Sequence, residues 1–148
     1  MTSGTSATAH LVLIEDNPSD VYLMKFALEE SGLVFEMTSF QNGADALLTL
    51  CPDTGAEDKC FVPDLILLDL NTPGTDGFEV LARIRGNPSL ADVPVAIITS
   101  SASPADKHRA SLIGATTYIQ KPTELDAFVK RVSGAVKQLL ADAPSHSS

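Results

Sequence analysis

Five side chains carry most of the chemistry legible in this chain: the adjacent acids Glu15 and Asp16, then Asp69, Thr99 and Lys121. Each stands at the end of a short apolar run. Taken singly they have ordinary explanations. An acid after a strand caps the next helix, a lone lysine is solvated, and a threonine fills a turn. Taken together they describe a site. Three carboxylates gathered at one point repel and need a counterion, and an all-oxygen donor set suits Mg2+, which keeps several of its waters. A backbone carbonyl just past Asp69, at Asn71, adds a neutral ligand. Beside such a cation Asp69 can attack a phosphoryl group and become an aspartyl phosphate. The cation would offset charge on the phosphoryl oxygens, Lys121 would give them a cationic contact and the Thr99 hydroxyl a hydrogen bond.

Bringing these residues together requires a particular set of elements. The chain alternates short apolar runs with longer stretches of helical periodicity. Strands are expected at 10–15, 35–40, 64–69, 93–100 and 116–121. Between them lie helices at 18–32, 44–50, 77–87 and 103–115, and a last one from Glu124. Pro18, Ser19 and Asp20 favour the first helix start and Gly32 its stop. The third helix places Phe78, Leu81, Ala82 and Ile84 near one face. The last has Leu125, Phe128, Val129, Val132, Val136, Leu139 and Leu140 at the 3, 4 spacing of an apolar stripe. Residues 52–62 read as a loop, and Pro73-Gly74 and Asp76-Gly77 as turns.

Most of the strands are unbroken apolar runs, as in a parallel sheet covered on both faces. Five strands alternating with five helices then predict an α/β fold, a flavodoxin-like doubly wound (βα)5 sheet of order 2-1-3-4-5. In such sheets ligands bind beyond the carboxyl ends of the strands, at the switch point between strands 1 and 3. Glu15, Asp16, Asp69, Thr99 and Lys121 all fall at those ends.

The 148 residues suit one domain, expected over 10–141 with tails at 1–9 and 142–148. The first ten residues have neither a basic start nor an apolar segment, which argues against a signal peptide and for the cytoplasm. No apolar run is long enough for a membrane span. A formal net charge of −9 disfavours nucleic acid and anionic lipid as partners. His10, His108 and His146 lack ligand spacing, and Cys51 and Cys60 read as reduced thiols.

The segments "LIEDN" (13–17), "LILLDLNTPGTDG" (65–77), "AIITSS" (96–101) and "YIQKP" (118–122) occur in order and at the right intervals. Through them the chain resembles the receiver domain of two-component response regulators. The resemblance implies that Asp69 is the phosphoacceptor and that Glu15, Asp16, Asp69 and the Asn71 carbonyl hold Mg2+. It also implies that Thr99 is the switch hydroxyl, Lys121 the phosphate-binding lysine and Tyr118 the switch aromatic. A cis peptide before Pro122 is usual in the family. The family more often has aspartate at position 15, alanine at position 100 and methionine-like residues in the run holding Asn71 and Thr75. With one more methylene at position 15, one acid of the pair is expected to meet the cation through water or another geometry, and Ser100 to slow access to the phosphoryl group.

"EDNPSD" with "LDLN" further resembles stand-alone regulators that serve phytochrome-type histidine kinases, which would be the phosphodonor. Output is expected through protein contacts, with a homodimer on the face of helix 4, strand 5 and helix 5. An aspartate-nucleophile phosphatase of the haloacid-dehalogenase type is disfavoured, because Asn71 replaces the second acid that mechanism requires. A pseudo-receiver would lack the acids or the lysine. A flavodoxin would carry a Ser/Thr-rich loop where "EDNPSD" stands.

Overall fold

The computed structural model describes residues 8–50, 62–72, 74 and 76–142. Its elements run β1 (Ala9–Ile14), α1 (Pro18–Glu30), β2 (Phe35–Phe40), α2 (Gly43–Leu50), β3 (Leu65–Leu68), α3 (Gly77–Arg85), β4 (Val95–Thr99), α4 (Pro104–Ile113), β5 (Thr117–Gln120) and α5 (Leu125–Asp142). All strand pairs are parallel, and the order is β2-β1-β3-β4-β5. This is the expected flavodoxin-like sheet.

The twofold alternation of side chains along a strand builds two cores from one sheet. Val12, Ile14, Ile66, Leu68, Val95 and Ile97 face α2, α3 and α4. Leu11, Leu13, Leu65, Leu67, Ala96, Ile98 and Ile119 face α1 and α5. Both faces of β3 are buried at all four positions, so its LILL needs no polar alternation. Each of these side chains contributes about 1.5–3 kcal/mol by leaving water. β2, at the edge, alternates between half-buried and exposed, matching its FEMTSF pattern.

The helix starts follow local chemistry. The Asn17 side chain accepts from the Ser19 N–H at 2.9 Å, and Pro18 opens α1. Gly32, just past the helix, has φ +80°, where a side chain would be strained. Asp76 caps α3 by accepting from the Phe78 N–H at 3.0 Å. Gly77 is needed for packing: a Cβ there would lie 2.7 Å from the Leu70 Cα.

At the amino end of the sheet, Arg85 ties four segments together. Its Nε donates to the Gly114 carbonyl at 2.8 Å. One terminal nitrogen reaches the carbonyls of Leu90, Ala91 and Val93, the last at 2.7 Å, and the other reaches Thr116 Oγ1. Burial pulls the guanidinium pKa below its ordinary value, with Asp92 acting the other way.

Several boundaries and faces differ from expectation. β1, β3, β4 and β5 each stop one residue short of the carboxyl-end limit read from the sequence, at the last residue in register with a neighbouring strand. On α3, Ala82 is exposed and Val80 is buried instead. On α5, Leu125 is half exposed, since it starts the helix beyond the sheet edge. Leu139 and Leu140 pack against the core rather than standing free. The peptide before Pro122 is trans, since there is no cis bond among the described residues. Lys121 reaches back over the sheet from that trans chain. β1 begins at Ala9 and α5 runs to Asp142. The rest of the expected tails, the loop over 52–61, Pro73, Thr75 and both cysteines lie outside the described residues.

Candidate functional site

The carboxyl ends of β1, β3, β4 and β5 place the expected residues within reach of one another. Glu15, Asp69 and Lys121 are each the first residue beyond a strand. Their backbones are still held by the sheet: the Glu15 N–H donates to Phe40 O (2.9 Å), Asp69 to Ile14 O (3.0 Å) and Lys121 to Thr99 O (2.7 Å). The side chains therefore leave a rigid edge in fixed directions. Glu15 and Asp69 are buried at 3% and 5% exposure, unusual for carboxylates without partners.

Lys121 is the partner. Its ammonium donates to Asp20 at 2.7 Å, Glu15 at 2.9 Å and Asp69 at 3.2 Å. An ammonium has three protons, and here each has a carboxylate. Burial alone would lower the lysine pKa, but the bonds to Asp20 and Glu15 and the charges of Asp69 and Glu15 outweigh it, so it is raised. For Glu15 burial wins. Its pKa rises to about 7, the neighbouring Asp69 adding to the effect and Lys121 opposing it.

Carboxylate oxygens of Glu15, Asp16 and Asp69 lie within 4.8 Å of one another. This donor set is all oxygen and anionic. One ammonium does not balance it, and the chemistry fits a hard divalent cation such as Mg2+. The Asn71 N–H donates to Asp69 Oδ1 at 3.0 Å, which curls the chain just past the acid.

Thr99 is fully buried. Its hydroxyl accepts from the Asn71 amide at 2.9 Å and from the Ser101 N–H at 3.2 Å. Tyr118 is half-buried against the core and donates its hydroxyl to the Ser101 carbonyl at 3.2 Å. A single short segment, 99–101, thus links Thr99, Asn71 and Tyr118. Ser100 points to solvent.

All seven residues expected from the sequence lie at or beside this edge. Three participants were not expected. Asp20, read as a helix-start residue, is an ion-pair partner of Lys121. The Asn71 amide, expected to matter only through its backbone, engages Thr99. Ser101 receives both Thr99 and Tyr118 contacts. Asp20 had one legible signal: it sits in the first turn of the helix that follows Glu15-Asp16, and that turn must lie over the same sheet edge.

Comparison with known proteins matches residues 11–133 to the response regulator receiver domain. The response regulator Rcp1 of Synechocystis sp. is 34% identical over 124 residues, covering 84% of both chains. The crystal structure of the phosphorylated cyanobacterial phytochrome response regulator RcpA superposes with a TM-score of 0.83 at 33% identity, covering 95% of this chain and all of that one. The Mn2+-bound form of Rcp1 gives 0.80 at 32% identity, covering 93% and 99%.

Proposed function

This chain belongs to the response regulator receiver domain family and is related to phytochrome-linked regulators, and we propose that Asp69 is its phosphoacceptor. A histidine kinase supplies the phosphoryl group. An Asp69 carboxylate oxygen attacks the phosphorus of a phosphohistidine; the O–P bond forms, the P–N bond breaks, and the imidazole nitrogen leaves with the bonding pair. The observation that carries this reading is the Lys121 ammonium 3.2 Å from Asp69, amid carboxylates from the end of β1, the first turn of α1 and the end of β3.

Glu15, Asp16, Asp69 and the Asn71 carbonyl would hold Mg2+. When bound it neutralises charge on the phosphoryl oxygens. The Thr99 hydroxyl already accepts two hydrogen bonds, which leaves its proton to donate toward a phosphoryl oxygen. Drawing Thr99 toward that oxygen pulls on the segment that also holds Tyr118, and so couples Asp69 to the α4-β5-α5 face. Leu112 on α4 is 74% and Leu125 at the start of α5 50% exposed, which supports a protein partner or a second copy on these helices. The phytochrome-linked relatives support a phytochrome-type kinase. The net charge of −9 supports protein partners over nucleic acid, and a cytoplasmic setting fits both. The chain catalyses only its own phosphorylation and dephosphorylation.

The test is mass spectrometry after incubation with phosphoramidate and Mg2+. The wild type gains one phosphoryl group and Asp69→Asn gains none; equal labelling refutes the acceptor. Sedimentation at micromolar concentration with a phosphoryl mimic should show a dimer, and a monomer in every state would refute self-association.

A further inference from the structure

Lys121 has three proton donors and three carboxylates, but these carboxylates are not equivalent. Glu15 and Asp69 belong to the cluster that fits a cation. Asp69 is also the proposed acceptor, so its oxygen changes charge and bonding when the phosphoryl group arrives. Asp20 belongs to neither set. It makes the shortest of the three contacts, 2.7 Å against 2.9 and 3.2 Å.

Asp20 is also independently fixed. Asn17 is the N-cap of α1 and Pro18 its first residue, so Asp20 occupies the third helical position. That position is one where acids commonly stand, facing the helix's unpaired N–H groups, and it does not depend on the cation. Its side chain is 26% exposed and that of Lys121 14%, so the pair is partly shielded from water.

On these grounds, and resting on Asp69 as the acceptor, we propose that Asp20 is a positioning residue for Lys121. It keeps the ammonium at the phosphorylation site when Glu15 turns to the cation and Asp69 becomes an acyl phosphate. The lysine then keeps one bond to Asp20 and points a freed proton at the phosphoryl oxygen. Without Asp20 the ammonium is left, among the described residues, with the two carboxylates of the cation cluster.

The test uses the full chain with phosphoramidate and Mg2+. In the reaction Asp69 attacks phosphorus, the P–N bond breaks, and ammonia departs with the bonding pair. Asp20→Asn, nearly isosteric, should lower the maximal labelling rate about ten-fold, the scale expected when a charged group is misplaced rather than removed. Donor KM and the calorimetric Mg2+ affinity should stay near wild type, and Asp20→Glu should recover most of the rate. In a Lys121→Ala background Asp20→Asn should have no further effect. A second readout needs no donor: with Mg2+ present, the 15N resonance of the Lys121 ammonium should be resolved in the wild type and in Asp20→Glu, and broadened by solvent exchange in Asp20→Asn, whereas in EDTA the contacts to Glu15 and Asp69 should keep the difference small. An unchanged or faster rate in Asp20→Asn, or an equal loss in the Lys121→Ala background, overturns the proposal and leaves Asp69 as acceptor. Absence of labelling in the wild type overturns both.

Discussion

The two ends of the sheet each bury a cation, and they treat it in opposite ways. At the amino end Arg85 is hydrogen-bonded to neutral dipoles, four carbonyls and a threonine hydroxyl, with the single charge of Asp92 nearby. At the carboxyl end Lys121 is surrounded by full negative charges. Dipoles satisfy the guanidinium's donors and one nearby carboxylate, Asp92, opposes its charge, so that end has no excess of acids to fill and its geometry is set once, by folding. Carboxylates outnumber the ammonium, so the other end remains electrically open and can take up another cation. The planar, multi-donor guanidinium suits knitting backbone together; the compact ammonium suits sharing among oxygens that change partners. One end of the fold is built to stay as it is, and the other to change its occupants.

The largest expected effect that separates the ends is on chemistry. Lys121→Met should reduce phosphoramidate labelling of Asp69 about 100-fold, as for the loss of one charge-stabilising donor. The thermal stability it loses in EDTA should return in part with Mg2+, which replaces the missing positive charge. Arg85→Met should do the reverse. Urea denaturation should show a loss of about 3 kcal/mol, because several buried carbonyls lose a charged donor, with no recovery in Mg2+ and labelling close to wild type. If Mg2+ rescues both variants equally, the contrast between the ends fails.

A smaller effect is the pH response. The folded Glu15 carboxyl titrates near 7, against 4.5 ordinarily. Between those values the folded chain holds a proton that the unfolded chain has released, so without a cation this group lowers stability as pH rises through the window. Urea midpoints in EDTA from pH 4.5 to 7 should fall less steeply for Glu15→Gln than for the wild type. No such difference is expected for Arg85→Met. The smallest effect concerns a cation at neither end. Arg109 on α4 lies 4.1 Å from the centre of the Phe78 ring on α3. Replacing it with Gln should cost about 0.5–1 kcal/mol by thermal melting, the scale of an exposed cation–π contact.

The contrast also marks what the sequence makes legible. Runs such as LILL and VAIIT announce buried parallel strands, and the rule that ligands gather at strand carboxyl ends picks out Glu15, Asp69, Thr99 and Lys121. Those are matters of period and position. Pairings are not. Asp20 and Lys121 are 101 residues apart, and although the first turn after Glu15-Asp16 puts Asp20 over the right edge, its residue type is that of any acid at a helix start. Arg85 reads as a basic residue ending a helix, and its role depends on carbonyls contributed by chain up to 29 residues away. The Asn71 amide on Thr99 depends on a side-chain direction that spacing does not encode. The trans peptide before Pro122 likewise follows the path of this particular chain.

The last rungs of the sheet have a consequence for how this edge exchanges with solvent. The amide protons of Glu15, Asp69 and Lys121 are the terminal bonds of three strand ladders. For any of them to meet water, the end of a strand has to come loose from its neighbour. Deuterium should therefore enter these three amides on the timescale of the sheet interior, far more slowly than the loops that follow them. The backbone of the reactive edge then opens only when a strand end does. Rearrangement is confined to side chains and to the segments downstream, which can respond to an event at Asp69 without dismantling the frame that holds it.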